Sequence, residues 1–415
     1  MMLARQHATT VVKTLVEAGH LAYFAGGWVR DMLLNHPSDD IDIATSASVD
    51  EVQALFPKTI PVGVAFGIVI VVVEGHQFEV ATFRKDRGYI DGRRPTGIEP
   101  AAPIEDAQRR DFTINGMFFD PLKEELYDYV GGKEDLKRGI IRAIGDPHER
   151  FLEDRLRMMR AVRYSTRFDF PIDRETAEAI CKHASTLLPA VAMERIWQEF
   201  KKMSHFAHFD KGLVMLHELK LLPTIFPELR QVSIDEIKRR VEPLAFYPQH
   251  PPTIAELLEL FPGYALNDLI SLCDYLKLSK QERDYVAYFH RVKGMLEMPE
   301  EWQKNLERVE WVHLYAHPFA ALTIEMIVAR FTDEKRSRIL RDHTQRRVLL
   351  SNFIERIIEK NPVVRSEHLK AMGIAPGIKM GVLLKEAERI ACNLGLENSD
   401  EVILHLKKSP LWDAP

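Results

Sequence analysis

Strand patterns crowd the first 145 residues of this chain and nearly vanish from about Asp146 onward. In the first part "LAYFAGG" and "DIDIAT" read as strands and "GIVIVVVEGHQFEVATF" as a hairpin turning at Glu74-Gly75. Between them "TTVVKTLVEAGH", "WVRDMLL" and "VDEVQALF" carry the helical repeat. In the second part "HERFLEDRLRMMRAVRYSTRF", "ETAEAICKHASTLL" and "MERIWQEFKKM" space their apolar residues three and four apart. A chain divided in this way cannot close into one sheet or one bundle. It predicts a small α/β or α+β head followed by a helical body, broken again at the proline-rich "YPQHPPT".

Composition narrows the class. The 415 residues leave room for about two to four domains with well-buried cores. The longest apolar run, Val62 to Val73, is too short to span a bilayer and is interrupted by Gly63 and Gly67. No basic N-terminal segment with a hydrophobic core is present, so a cytoplasmic protein without membrane association is expected. Cys181, Cys273 and Cys392 form no C-x-x-C pair, which argues against a disulfide framework and a thiolate zinc site. A net charge of −5 gives no global sign of nucleic acid, but Lys133 to Arg167 and "RKDRGYIDGRR" are locally basic.

The stretch "SDDIDIATS" sets Asp39, Asp40 and Asp42 in a β-branched run. If it is extended, Asp40 and Asp42 share one face and Ile41 and Ile43 the other. Like charges so placed repel unless a cation lies between them; the alternative is a turn capped by Asp39 and Asp40. Just upstream, "AGGWVRDMLL" puts a Gly-Gly pair at a strand–helix junction, where Gly27 and Arg30 suit a phosphate, or where Arg30 and Asp31 simply face solvent. Glu79 in "QFEVATFR" either completes a carboxylate cluster or marks the exposed face of an edge strand. "RKDRGYIDGRRP", Arg84 to Pro95, reads as a mobile loop near a substrate or as a solvated surface loop. "EDAQRRDFTINGMFFD" offers Arg109 and Arg110 to a triphosphate, ahead of a strand entry at Thr113 and Asn115.

Taken together, "GGWVRD", "DIDIAT", "EVATFR", "RRDFTING" and "RFLEDRLRMMRAVRY" resemble, in order and spacing, the motifs of the class II nucleotidyltransferases, the bacterial CCA-adding tRNA nucleotidyltransferase and poly(A) polymerase family. The resemblance covers about the first 200 residues. It implies a polymerase-β-like α+β head over residues 1–145, then an all-α neck over 146–205, body over 206–300 and tail over 301–415. It implies Asp40 and Asp42 as Mg²⁺ ligands, Gly27 and Arg30 as nucleotide-phosphate contacts and Arg110 as a nucleotide-binding arginine; our own reading adds Glu79 as assisting the metal. Asp154, Arg157, Arg160 and Arg163 match the neck positions that bind the incoming nucleotide. The loop at Arg84–Pro95 is implied to help the pocket change between bases. Two positions depart from the pattern: Ala65-Phe66 stand where a histidine is usual, and Gly116 where alanine is common.

The neck can also be read directly. On a continuous helix Asp154 and Arg157 lie about 60° apart, with Leu152, Leu156, Met159 and Val162 forming the opposite apolar arc. The bland alternative is a solvated helix stitched by Glu153–Arg157 pairing. Cytosine and adenine both present an amino donor beside a ring-nitrogen acceptor, which an acidic acceptor next to an arginine donor would match. The expected activity is therefore addition of CCA to the 3′ end of tRNA from CTP and ATP. The rivals are poly(A) addition, partial CC or A addition, small-molecule nucleotidyl transfer, and a non-enzymatic RNA-binding module.

Overall fold

The structure, a computed structural model, describes residues 2–36, 38–89 and 95–413. The chain forms two compact units, the first ending at Val241 and the second beginning at Glu242.

The first unit opens with α1 (Met2–Glu17), β1 (Ala22–Ala25), α2 (Gly27–Leu33), β2 (Asp42–Thr45) and α3 (Val49–Leu55). β3 (Thr59–Ile60), β4 (Ile68–Val73) and β5 (His76–Thr82) follow, then β6 (Arg84–Tyr89), β7 (Pro95–Pro100), α4 (Pro103–Gln108), β8 (Met117–Asp120) and β9 (Glu125–Asp128). Seven strands make one mixed sheet in the order β3-β4-β5-β2-β1-β8-β9, in which β2 and β5 run parallel and the other neighbours antiparallel. Local chemistry accounts for these elements. Glu74 and Gly75 both have positive φ, as a two-residue hairpin turn requires, and they join β4 to β5 at the expected place. Ser48 and Glu51 cap α3 reciprocally, satisfying two end N–H groups. α1 buries Ala4, Ala8, Val11, Val12 and Leu15 along one stripe and packs on β1, β2, β4 and β5.

The register decides which side chains meet. Phe24, Ile43 and Val80 are aligned across β1, β2 and β5 and are fully buried, forming the core beneath α1. On the opposite face Ala25 is aligned with Asp42 on one side and Phe118 on the other, and Phe118 with Tyr127. Because Ile43 is opposite Val80, Glu79 lies beside Asp42 on that second face.

Two local expectations are corrected. The segment from Arg84 is not an open loop: β6 and β7 pair as a separate two-stranded sheet, while residues 90–94 of the expected loop lie outside the described residues. Thr113 and Asn115 do not enter a strand but form a 3₁₀ turn, and β8 starts only at Met117. There Thr113 donates to Asp135 at 2.8 Å, which ties the turn to α5 (Gly132–Arg138).

Beyond α5 the unit is helical: α6 (Pro147–Glu153), α7 (Leu156–Phe168), α8 (Arg174–His183), α9 (Leu187–Ala190), α10 (Met193–Ser204) and α11 (Phe209–Glu218), then shorter helices to Val241. α7 packs on α10 and α11, where Gly212 admits close approach: a Cβ there would lie 2.5 Å from Thr166 Oγ1. The second unit is made of helices from Thr253–Leu258 through Ser399–Leu406. No helix among the described residues is long and apolar enough to cross a membrane.

Candidate active site

A cleft of about 440 Å³ opens where the sheet end nearest Gly26 meets α7. From the second face of the sheet Asp42 lines it, and we call Asp42 with its neighbours Asp40 and Glu79 the floor. Asp40 and Asp42 are exposed while Ile41 and Ile43 are buried, so the alternation read from "DIDIAT" holds. Residues 38–41 form no turn and run directly into β2, with Ser38 Oγ accepting from the Asp40 N–H at 3.3 Å. Asp42 faces the cleft. Crowding by the surrounding protein, then the charges of Glu79 and Asp40, push its carboxyl up to about 7, against a smaller opposing pull from Arg110. Glu79 is exposed as expected, but β5 is an interior strand flanked by β4 and β2, so the edge-strand alternative fails. Among the described residues no three His, Cys, Asp or Glu side chains converge closely enough to hold a metal ion by themselves.

Beside the floor, Gly26 has φ 65°, and a Cβ there would lie 3.0 Å from Arg110 Nη1. A side chain at Gly26 is thus strained by backbone and space alike. Arg110 donates to Asp106 Oδ2 from Nε at 3.2 Å and Nη2 at 2.9 Å, and its guanidinium lies 5.0 Å from the Phe118 ring centre. Burial works to raise the Asp106 carboxyl, but the charges of Arg110 and Arg109 outweigh it and hold the group low.

The wall is built by the neck, and here the helix reading is corrected. Asp154 is not on a continuous helix with Arg157: it has extended φ/ψ (−140°, 105°) and separates α6 from α7. Its Oδ1 accepts from the Leu156 N–H at 3.0 Å, and its Oδ2 lies 3.5 Å from Arg195 Nη2. Arg157 donates to Glu153 at 2.7 Å and to the carbonyls of Arg150 and Arg109 at 3.2 and 3.1 Å. Leu152 leaves the apolar arc and is 45% exposed, whereas Leu156, Met159 and Val162 are buried. Arg160 donates to Asp111 Oδ2 from Nε at 2.8 Å, and from Nη2 to the Tyr164 hydroxyl at 3.1 Å. Burial would raise Asp111, yet the Arg160 charge and the Asn115 hydrogen bond hold it at about 2. Arg163 pairs with buried Glu199 at 2.7 Å.

The structure therefore brings Gly27, Arg30, Asp42, Arg110, Asp154, Arg157, Arg160 and Arg163 to one cleft. Asp40 and Glu79 stand beside Asp42 as its electrostatic neighbours. Arg30 is buried instead of solvated, engaged by Asp31 and Asn115. Asp106, Asp111, Asn115 and Glu199, the partners that fix these arginines, were not singled out as site residues. Their signal was present for two of them, as the acidic and amide positions of "RRDFTIN".

A mixed sheet carrying paired carboxylates on an open face, followed by helices that wall the cleft with arginines, is the architecture of a polymerase-β-like nucleotidyltransferase. Family comparison agrees: residues 22–142 match the Poly A polymerase head domain, and residues 169–232 the probable RNA and SrmB-binding site of polymerase A. A CCA-adding enzyme of Streptococcus agalactiae serotype V is 30% identical over 415 residues, with 98% of each chain covered. One from Pediococcus pentosaceus is 34% identical, with 96% of each covered. One from Anoxybacillus flavithermus reaches 45% over 234 residues, 56% of this chain and 58% of that relative. Among solved structures, the Bacillus stearothermophilus CCA-adding enzyme in complex with CTP superposes with TM-score 0.80 at 28% identity, covering 98% of this chain and 97% of that one. The fold is also that of a Thermotoga maritima CCA-adding enzyme complexed with tRNA, at TM-score 0.65 and 21% identity over 96% of this chain and 94% of that one. The chain belongs to the CCA-adding enzyme family.

Proposed function

We propose that this enzyme adds C, C and A to the 3′ end of tRNA, using CTP and ATP and releasing pyrophosphate. The observation that carries the reading is the cleft itself, in which Asp42, crowded by the charges of Glu79 and Asp40, stands with a set of arginines and Asp154. Family membership over nearly the full length of several relatives supports it.

The floor fits a hard divalent cation. Its donors are all oxygens, the mutual repulsion of Asp40, Asp42 and Glu79 is what such an ion relieves, and two carboxylates suffice where water and substrate phosphates complete the shell. Asp40 and Asp42 would hold Mg²⁺, which when bound supplies the charge that makes the terminal ribose 3′-OH more acidic and neutralises the triphosphate. The chain's own groups do the rest. The Arg110 guanidinium, which approaches Gly26 as closely as it does because no Cβ stands there, receives the phosphates together with the backbone at Gly27. Arg160 and Arg163, held by Asp111 and Glu199, keep positive charge facing the same space. Asp154 accepts from the amino group of cytosine or adenine while Arg157 donates beside it. Uracil and guanine present the reverse pattern on that edge and would not match this acceptor and donor.

The test is incorporation of each NTP singly into tRNAs ending before, within and after CCA. Two cytidines, then one adenosine, then arrest is the expected result. Indefinite extension with ATP alone, on tRNA or unrelated RNA ends, would overturn it.

A further inference from the structure

Asp31 has no place in the floor or in the base-facing wall, yet it is only 5% exposed. Its Oδ1 accepts from Arg30 Nε at 3.0 Å and Nη2 at 2.8 Å, and its Oδ2 accepts from Arg167 Nη2 at 2.9 Å. The two guanidiniums also share an aromatic ring, lying 4.9 Å and 4.8 Å from the Phe168 ring centre. One buried carboxylate thus joins the helix that follows the Gly-Gly turn to the last turn of α7. Charge-assisted bonds of this kind to a planar guanidinium fix direction as well as distance.

Geometry gives the link its effect. Near its first turns α7 is held by Arg157 on the Arg109 carbonyl and by Arg160 on Asp111. Arg167 lies ten residues beyond Arg157, about 15 Å along a helix axis. Packing on α10 and α11 holds α7 within the helical part, so what the link fixes is its tilt against the sheet; a tilt of about 5° over that length displaces one end against the other by roughly 1.3 Å. Misplacement on this scale is enough to spoil a binding geometry.

We propose that Asp31 is a positioning residue for nucleotide selection: by binding Arg30 and Arg167 together it fixes the tilt of α7, and so sets Asp154 and Arg157 in register with the phosphate-holding floor. The inference rests on the reading that Asp154 and Arg157 select the base.

The experiment measures single-nucleotide incorporation of all four NTPs on a tRNA ending at the discriminator base, together with melting temperature. It compares the wild type with Asp31→Asn, Arg167→Met, Arg167→Lys, the Asp31→Asn/Arg167→Met double variant and Asp154→Ala. Asp31→Asn and Arg167→Met should each raise UTP and GTP use relative to CTP and ATP by about tenfold. The double variant should be no worse than either single one, because one link is broken in all three, and Arg167→Lys should recover most of the preference. Arg167 is part-exposed, so its two variants carry the test even if Asp31→Asn fails to fold. Lowered melting temperature with unchanged preference would make the link merely structural and overturn the proposal, as would losses that multiply in the double variant. If Asp154→Ala changes the preference and Arg167→Met does not, this inference alone fails. If Asp154→Ala leaves it unchanged, the base-selection reading fails and takes the inference with it.

Discussion

The floor and the wall of the cleft handle charge in opposite ways. On the floor, Asp40, Asp42 and Glu79 carry one sign, and the Asp42 carboxyl is driven up to about 7. On the wall the arginines are matched by acids, Arg157 with Glu153, Arg160 with Asp111 and Arg163 with buried Glu199, and Arg30 beside it is matched by buried Asp31. There the Asp111 carboxyl is held down at about 2. A balanced region keeps its shape without a ligand, whereas a region with surplus charge is improved by one. The wall is thus scaffold that also presents donors, and the floor is the region whose surplus charge a bound cation would relieve.

The sharpest way to break this contrast is to remove floor carboxylates. Asp40→Ala or Asp42→Ala should lower nucleotide addition by roughly a thousandfold or more, with circular dichroism and melting unchanged or slightly improved, because repulsion is relieved. Near-wild-type turnover in Mg²⁺ for either variant would remove the metal assignment.

A wall substitution should do the reverse, acting first on stability. Arg163→Ala leaves buried Glu199 with only the exposed Lys202 ammonium, at 3.7 Å, and should cost about 3 kcal/mol in urea unfolding. A change below about 1 kcal/mol would mean that the wall is not balanced as described.

Asp154 lies where the two regimes meet, and its prediction concerns choice more than rate. Asp154→Ala should cost discrimination against UTP and GTP by about ten- to a hundredfold, the worth of a charged hydrogen bond of about 1.5–3 kcal/mol. Single-turnover incorporation of the four NTPs reads it directly, and unaltered ratios would mean that Asp154 only caps α7.

The smallest effect separates the regions by pH, in protein stripped of divalent cations. Asp42 is raised in the folded state, so its contribution is fully present below about pH 4 and is lost as pH rises through about 7. Asp111 is depressed, so its contribution of about 2 kcal/mol is present above about pH 4 and is lost as pH falls through about 2. Stability measured from pH 2 to 8 should therefore rise and then decline. Asp42→Asn should flatten only the upper limb, and loss of both limbs in that variant would contradict the independence of floor and wall.

Much of this was legible in the chain. Period-two alternation placed Asp40 and Asp42 on one face, and the Glu74-Gly75 turn located the hairpin, because both depend on residues near in sequence. The helix break at Asp154 was not legible, since "HERFLEDRLRMMR" keeps an unbroken helical period. What overrides it is the Asp154 side chain bonding the Leu156 N–H, a local competition that periodicity does not weigh. Burial of Arg30 was equally hidden, because its partner Asn115 is remote in sequence and Arg167, bound to the same Asp31, more so. The hairpin formed by β6 and β7 was missed because charge and glycine dominate its sequence, and these mask strand propensity.

The strand order also bears on how the molecule is made. β2 gains its parallel partner β5 only after α3 and the β3–β4 crossing, yet all of these lie in the first 82 residues. β1 must wait for β8, and Gly26 for the Met117 carbonyl, before the far side of the sheet is complete. On a chain emerging from its N-terminus, Asp40, Asp42 and Glu79 are thus available to assemble first. The arginines of the wall are joined to them through contacts of long sequence separation, which are the slow steps of folding. The floor is early and the wall late, so a chain halted between the two would carry the three carboxylates without the arginines that face them.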